Sequence, residues 1–487
     1  MNRSQVFQTS NSEMILHQSV LGCRRGSVIS VANIALLLIG SWLHFIAEAS
    51  PLPLIAALIY FCVGWFPLWL SKLGGKWERV IYTRVFLSGF LSAGIASTYR
   101  TFSGDNQVDA TAFFEIASGA APGLSIVEIA AFTEGSLAVV LWREIFDLMA
   151  VIGFPRDQYI GVLVNVFIVA LSGVVAIKIV RQIFGFDTYR FKLLVLMYSV
   201  CGLFWIFSGI FIRDSFILLG VNLLVSAWVL FLSKPGVNLR LVIVVIVSIL
   251  ASTFFEFMRR EFFFVPVAMA MAAIAAMSFG QKGRLKKYKL YLLLTFGMAV
   301  IGVMYVSFGE TFEAALYLGR KGYLEQSISI SNDSSLGMAL IVNQPTPIRL
   351  ALGSVYLYIF PIPLWSGFQL ESSYHLFKSL NVIFMIFLLP LFLLALHTAW
   401  KNKLFRSSSV IFMLFLVIGF TLAIAGTSME TRHLGVFFVP IFILALLPNM
   451  QNAIVRSNYR QILYFVISTI LLIHFAWLFL KFGLIVE

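Results

Sequence analysis

The stretch "QYIGVLVNVFIVALSGVVAIKIV" (158–180) runs for 23 residues with a single charge, Lys178, near its end. At 1.5 Å per residue a helix of this length covers about 34 Å, enough to cross a hydrocarbon core about 30 Å thick. Working outward from it, twelve more apolar runs of similar length lie near 27–46, 53–71, 80–98, 193–210, 215–232, 240–257, 262–279, 290–308, 378–398, 408–426, 434–449 and 461–481. The expected fold is all-α: a polytopic integral membrane helix bundle of about 13 transmembrane helices, within a range of 12–14. The whole composition agrees. Of the 487 residues 60% are hydrophobic and 12% charged, with a mean hydropathy of +0.94. Soluble domains carry about 45–50% apolar and about 25% charged residues, so an ordinary globular protein is excluded.

A net charge of +13 would suit nucleic acid, but a membrane protein acquires such an excess by keeping Lys and Arg in its cytoplasmic loops. No nucleic-acid partner is expected. Cys23, Cys62 and Cys201 are an odd set, two of them inside apolar runs, and support neither a disulfide framework nor a cysteine metal site. Residues 1–26, with Arg3, Arg24 and Arg25, resemble the charged start of a signal peptide. The run 27–46 is too long for a signal core and lacks a small-residue cleavage site. The chain therefore reads as a cytoplasmic tail, 1–26, followed by one membrane domain, 27–487.

Charge asymmetry sets the orientation. With the N-terminus inside, the cytoplasmic segments hold 22 of the 35 lysines and arginines but, of the 22 acids, only Glu13, Glu78 and Asp187. Thirteen crossings then leave the C-terminus on the outer side. Leu350–Phe368 is apolar enough to span, yet a single crossing there would put Lys401, Lys403 and Arg406 outside. A re-entrant or interfacial stretch near 350–370, or two short crossings, is expected instead. Pro361 and Pro363 in "YIFPIPLWSG" (358–367) break a helix and free carbonyls that only protein or water can satisfy.

Two long outer loops follow, roughly 99–157 and 309–377. In the first, "GSLAVVLWREIFDLMAVIG" (135–153) groups Arg143, Glu144 and Asp147 on a narrow arc, which predicts an interfacial helix with Trp142 at headgroup depth. Asp105 and Asp109 in "SGDNQVDATAFFEIA" (103–117) are spaced i, i+4. On one helix they would share a face and hold a divalent cation, Mg²⁺ or Mn²⁺, or supply a base; as ordinary helix-start acids they would cap and solvate the loop. In "FSGIFIRDS" (207–215), Arg213 and Asp214 either neutralise each other in a tight turn or present an arginine to an anionic headgroup or pyrophosphate. In "FEFMRREFFFVP" (255–266), Glu256 can pair with Arg260, whereas Arg259 has no acid at i−4 or i+4. Two arginines on the outer side run against the positive-inside trend, which points to an anion site at Arg259 and Arg260. The last outer turn adds Glu430, Arg432 and His433, a histidine readable as a proton shuttle or as a structural group. The second long loop adds the cationic pair Arg320 and Lys321 and a Ser-rich cover, "SISISNDSS" (327–335).

A carboxylate pair, scattered arginines and interfacial aromatics on one face suit a substrate with phosphate at the membrane surface and a hydroxyl-rich part in water. A polyprenyl-(pyro)phosphate-linked saccharide has that form, with its tail among membrane lipids. The sequence holds no Walker A loop, GxGxxG, HExxH or GxSxG pattern. Span middles are nearly free of acids; Arg84, near an inner end, is placed to snorkel.

The strings "GDNQVDATAFFEIA" (104–117), "FSGIFIRDS" (207–215), "FPIPLW" (360–365) and "ETRHLGVFFVP" (430–440) resemble those of bacterial O-antigen and exopolysaccharide repeat-unit polymerases and related GT-C membrane glycosyltransferases. The resemblance implies an enzyme of the bacterial inner membrane that transfers saccharide units at the periplasmic face from an undecaprenyl-linked donor. It implies Asp105 or Asp109 as base or metal ligand, and Arg213, Arg259, Arg260, Arg320, Arg432 and His433 as phosphate or sugar contacts. A flippase and a chain-length regulator would be its protein partners. The rival is a transporter or flippase of the same lipid-linked oligosaccharides, which would need polar residues continuing through the membrane.

The orientation is checked with reporter fusions. Alkaline phosphatase joined after Gly119 is expected to be active and after Lys403 inactive, with the reverse for a fluorescent reporter that matures only in the cytoplasm. The opposite pattern would overturn the orientation.

Overall fold

The computed structural model describes residues 30–71, 75–98, 108–119, 136–233, 235–236, 239–280, 341, 344–369, 372–402 and 407–483. Of these 86% are helical, and no strand occurs among them. Ten helices are long and apolar enough to cross a membrane. They are α1 (Val31–Glu48), α2 (Leu52–Leu70), α3 (Lys76–Thr98), α6 (Gln158–Phe184), α9 (Asp214–Ser233), α10 (Leu239–Met258), α11 (Val265–Gly280, entered through a 3-10 turn at Arg260–Phe264), α14 (Ser373–Lys401), α15 (Ser408–Gly426) and α18 (Ala453–Gly483). Between them lie α4 (Val108–Ser118), α5 (Ser136–Val151), α7 (Thr188–Val200), α8 (Gly202–Gly209), α12 (Thr346–Ile359), α13 (Ser366–Gln369), α16 (Thr431–Gly435) and α17 (Phe438–Ala445). The chain is a polytopic helical membrane bundle.

Local chemistry starts several of these helices. Ser30 caps α1 by accepting from the Asn33 amide, and Asp187 caps α7 by accepting from the amides of Tyr189 and Arg190. The centre is built on α3, α6 and α9, of whose span windows 78%, 78% and 72% of residues are buried, against 11% for α1 and 17% for α18. Lipid tails are as apolar as leucine, so burial in the centre comes from close packing of small residues rather than from hydrophobicity. The α3 sequence "SGFLSAGIAS" (88–97) supplies them, and α1, α6 and α8 lie against it.

Two expected crossings are interrupted. The run 193–210 is α7 and α8, bent by 56° at Cys201. The run 434–449 is not one span but α16 and α17 in series. At about 12 Å, the eight residues of α17 are too short to cross hydrocarbon alone, and all of them are buried. Glu430 at the start of this segment bonds Lys378 of α14; at its far end the Leu446 carbonyl accepts from Arg190 at 2.9 Å. The run 290–308 lies outside the described residues. The 350–370 stretch does break where the prolines stand: α12 stops at Ile359, and Pro361–Trp365 form a non-helical turn before α13.

One local expectation is corrected: Trp142 does not face lipid headgroups. It is fully buried, 4.1 Å from Phe211 and 5.6 Å from Phe216 between ring centroids, because the apolar face of α5 packs on protein. Arg84 donates to Oγ of Ser30, the N-cap of α1, at 3.0 Å.

The α8–α14 crossing depends on Gly202, where a Cβ would strike the Phe377 carbonyl and the Asn381 amide of α14, backbone atoms that cannot turn aside. Gly202→Ala is expected to cost about 1–3 kcal/mol by overpacking, read as a lower Tm in detergent. Gly419→Ala, where a Cβ meets nothing within 4 Å, is expected to keep or raise Tm. Equal effects at the two sites would overturn the packing assignment.

Candidate functional site

Where α8 ends and α9 begins, the chain is non-helical through Ile210–Arg213 and bends there. Asn165, buried on α6, holds it there. Its side-chain amide donates to the carbonyls of Ile210 (2.9 Å) and Ile212 (3.0 Å), and its oxygen accepts from Ser215 Oγ (2.9 Å). Arg213 and Asp214 are thereby fixed inside the bundle, both buried. The Arg213 guanidinium lies 5.3 Å from the ring of Phe113 in α4, a separation at which a cation is drawn to an aromatic face.

Arg259, at the end of α10, is 4% exposed. Its acids come from elsewhere than i±4: Asp214 at 3.8 Å, across from α9, and Glu261 at 3.5 Å. The Phe262 ring beside it stacks on Phe437, which stacks on Phe420 of α15 with centroids 3.7 Å apart. That stack ties the Arg259 turn to the segment carrying Arg432 and His433.

At the start of α14, Lys378 is buried and donates to Glu430 Oε1 at 2.8 Å. The Tyr374 hydroxyl donates to the same oxygen at 2.9 Å, and the Tyr374 and Phe360 rings lie 4.3 and 5.2 Å from the Lys378 ammonium. Glu430 also caps α16 by accepting from the Arg432 amide. Burial alone would raise the Glu430 pKa, but Lys378 and Arg432 outweigh it and hold the carboxyl at about 2. His433 is buried, with Nδ1 2.8 Å from Ser428 Oγ. Burial, and then Arg259, Arg432, Arg213 and Lys378 in that order, push its pKa well below the ordinary histidine value. The ring is neutral near pH 7.

The sequence candidates Arg213, Arg259, Arg432 and His433 thus converge, drawn from α9, α10 and the α15–α17 connection, although more than 200 residues separate the first from the last. Arg260 does not join them and is exposed in the 3-10 turn. Asp105 and Arg320 lie outside the described residues. Asp109 falls in the first turn of α4, the helix whose Phe113 meets Arg213, and its side chain lies outside the description. Among the described residues no three His, Cys, Asp or Glu are grouped to hold a metal ion. Sequence reasoning missed Lys378 and Tyr374. A lysine at the end of an apolar run reads as a span boundary, although "SYHLFKSLN" (373–381) is unusually polar for the start of a 29-residue helix.

Four cationic side chains therefore stand with three carboxylates, Asp214, Glu261 and Glu430, around a neutral imidazole. Buried guanidinium and ammonium groups gathered in an apolar setting are of the chemistry that binds an anion. No family model matches the chain, no curated protein matches its sequence, and no solved structure matches its fold.

Glu430→Gln leaves Lys378 buried beside an uncharged partner and is expected to destabilise by about 3–5 kcal/mol, with most of the loss recovered in Glu430→Gln/Lys378→Met. The Glu430 carboxyl titrates in the folded protein near 2 against an ordinary 4.5. Its stabilisation is therefore full above pH 4.5 and lost as pH falls through about 2. Thermal unfolding of wild type, Glu430→Gln, Lys378→Met and the double variant in detergent checks this; additive single effects would remove the coupling.

Proposed function

We propose that the chain is a membrane glycosyltransferase, a polysaccharide polymerase. It transfers saccharide units from a polyprenyl-(pyro)phosphate-linked donor at the periplasmic face of the bacterial inner membrane, in O-antigen or exopolysaccharide assembly. The observation that carries this reading is the convergence of Arg213, Arg259, Arg432 and Lys378 on one buried place around His433. Arg259 and Lys378 stand at one end of α10 and α14, whose opposite ends carry Arg240 and Lys401, basic residues of connections assigned to the cytoplasm. A lipid-linked substrate enters from the bilayer with its phosphate at the depth of a helix end, where buried arginines can meet it.

In the reaction an acceptor hydroxyl oxygen attacks the anomeric carbon of the donor. The bond from that carbon to the phosphate oxygen breaks, and the (pyro)phosphate leaves with the electron pair. The arginines and Lys378 stabilise the charge that develops on the leaving phosphate, as preorganised donors do in a low-dielectric site. The hydroxyl proton passes to a carboxylate, for which Asp105 and Asp109 are the candidates; if the pair holds a divalent cation instead, Mg²⁺ or Mn²⁺, that ion would polarise the phosphate.

The test is the length distribution of lipid-linked and surface glycan in a deletion strain complemented with wild type, Arg213→Gln, Arg432→Gln or Asp109→Asn at matched protein levels. Single repeat units are expected to accumulate on the periplasmic side. Loss of one charged donor is expected to slow transfer by about 10²-fold. Accumulation on the cytoplasmic side would favour a flippase, and unchanged glycan would remove both readings.

A further inference from the structure

The turn that follows α12 is tied down at two places. On one side the Gly367 amide donates to Ser379 Oγ of α14 at 3.2 Å, one residue past Lys378. On the other, the Leu364 amide donates to Nε2 of His474 in α18 at 2.9 Å, while Nδ1 of the same ring lies 2.7 Å from the Ile470 carbonyl. These partners fix the tautomer. A backbone carbonyl only accepts, so Nδ1 carries the hydrogen; a backbone N–H only donates, so Nε2 carries the lone pair. Both bonds can be made only by a neutral ring. An imidazolium has hydrogens on both nitrogens, and its Nε2–H would face the Leu364 N–H, donor against donor.

The held turn begins at Phe360. That ring lies 5.2 Å from the Lys378 ammonium and 4.7 Å from Tyr356, whose own phenol senses the charge of Glu430. We infer that His474, in its neutral Nδ1–H form, is the positioning residue for the Phe360–Trp365 turn, and through it for the aromatic wall of the Lys378–Glu430 pair. The cation site is thereby acid-sensitive through a group that does not touch it. The consequence for activity rests on the glycosyltransferase reading; the hydrogen-bond strut does not.

The His474 ring lies against the turn it holds. The ring is 2% exposed. The apolar cluster that joins α18 to α14 and α12 takes Val466, Ile470 and Ile473 from α18, Ile386 and Leu389 from α14, and Ile359 and Tyr358 from α12. Tyr358 shares its hydroxyl with Thr421 at 2.7 Å, and the turn contributes Leu364 and Trp365. Among the described residues no ion pair includes His474.

The strut is tested on the full chain in nanodiscs, with Cys23, Cys62 and Cys201 replaced by Ala and a single reporter, Trp365→Cys, at a position 38% exposed. Maleimide labelling rates are measured between pH 5 and 8 with His474 and with His474→Gln, in which the amide oxygen can still accept from Leu364 without titrating. The ratio of the two rates cancels the reporter thiol's own pH dependence. It is expected to lie near one at pH 8 and to rise several-fold towards pH 5; a flat ratio would overturn the acid sensitivity, and an unchanged labelling rate in His474→Phe at pH 8 would overturn the strut. In cells of adjusted medium pH, His474→Phe, which has no acceptor, is expected to shorten glycan at every pH, and His474→Gln to flatten the acid loss seen with wild type. Wild-type glycan from His474→Phe would overturn the positioning role. A pH-dependent labelling ratio in a protein whose deletion leaves glycan unchanged would keep the strut and remove the glycosyltransferase reading instead.

Discussion

A buried cation in an apolar bundle is tolerated only next to a carboxylate, and that constraint organises one end of this protein. Moving a bare ammonium or guanidinium out of water costs several kcal/mol even after the surroundings relax. Lys378 meets that cost with Glu430 at 2.8 Å and the Tyr374 ring at 4.3 Å, and Arg259 meets it between Asp214 and Glu261. Two of these pairs join residues distant in sequence: Lys378 of α14 to Glu430 of the α15–α16 turn, and Arg259 past the end of α10 to Asp214 at the start of α9. The same bonds that make the charges bearable hold the helix ends in register.

The backbone is interrupted where these charges need support. The chain breaks at Cys201, at Val436–Phe437 and at Pro361–Trp365, and hydrocarbon forbids such breaks unless protein or water satisfies the freed groups. Here protein does so. Asn165 takes the carbonyls of Ile210 and Ile212, and His474 takes the Leu364 amide. Short, buried elements result, α8, α16 and α17, which enclose the cations among aromatic rings rather than lipid tails.

Much of the fold was legible because the bilayer fixes helix length. Among the described residues the apolar runs match the long helices, and the prolines at 361 and 363 marked a real break. The 434–449 run misled because a core segment enclosed by other helices is as apolar as one facing lipid; hydropathy cannot tell Phe442, packed on Tyr198 and Phe384, from a residue in contact with acyl chains. Trp142 misled for the same reason. Of the site, Arg259 was legible as an arginine against the positive-inside trend, and Arg213, Arg432 and His433 as polar groups in short turns between apolar runs. Their convergence was not, since pairs such as Arg259–Asp214 depend on how helices cross. Lys378 was hidden by its position at the edge of an apolar run, where a snorkelling lysine is ordinary.

The charge of this site is set against change. Between pH 5 and 8 Glu430 stays ionised, because its pKa lies near 2, and His433 stays neutral, because burial and four cations disfavour a fifth positive charge. The usual physiological switch is therefore locked in one state by the residues around it. A phosphate monoester gains its second negative charge near pH 6, so a site of fixed positive charge would register the ligand's ionisation rather than its own. A diester or diphosphate bridge stays charged throughout the same range, and against it the site would be almost indifferent to pH. A lone imidazole outside the cluster, held by a backbone donor and a backbone acceptor, would on protonation lose its bond from the Leu364 amide and with it the hold on the turn beside the site.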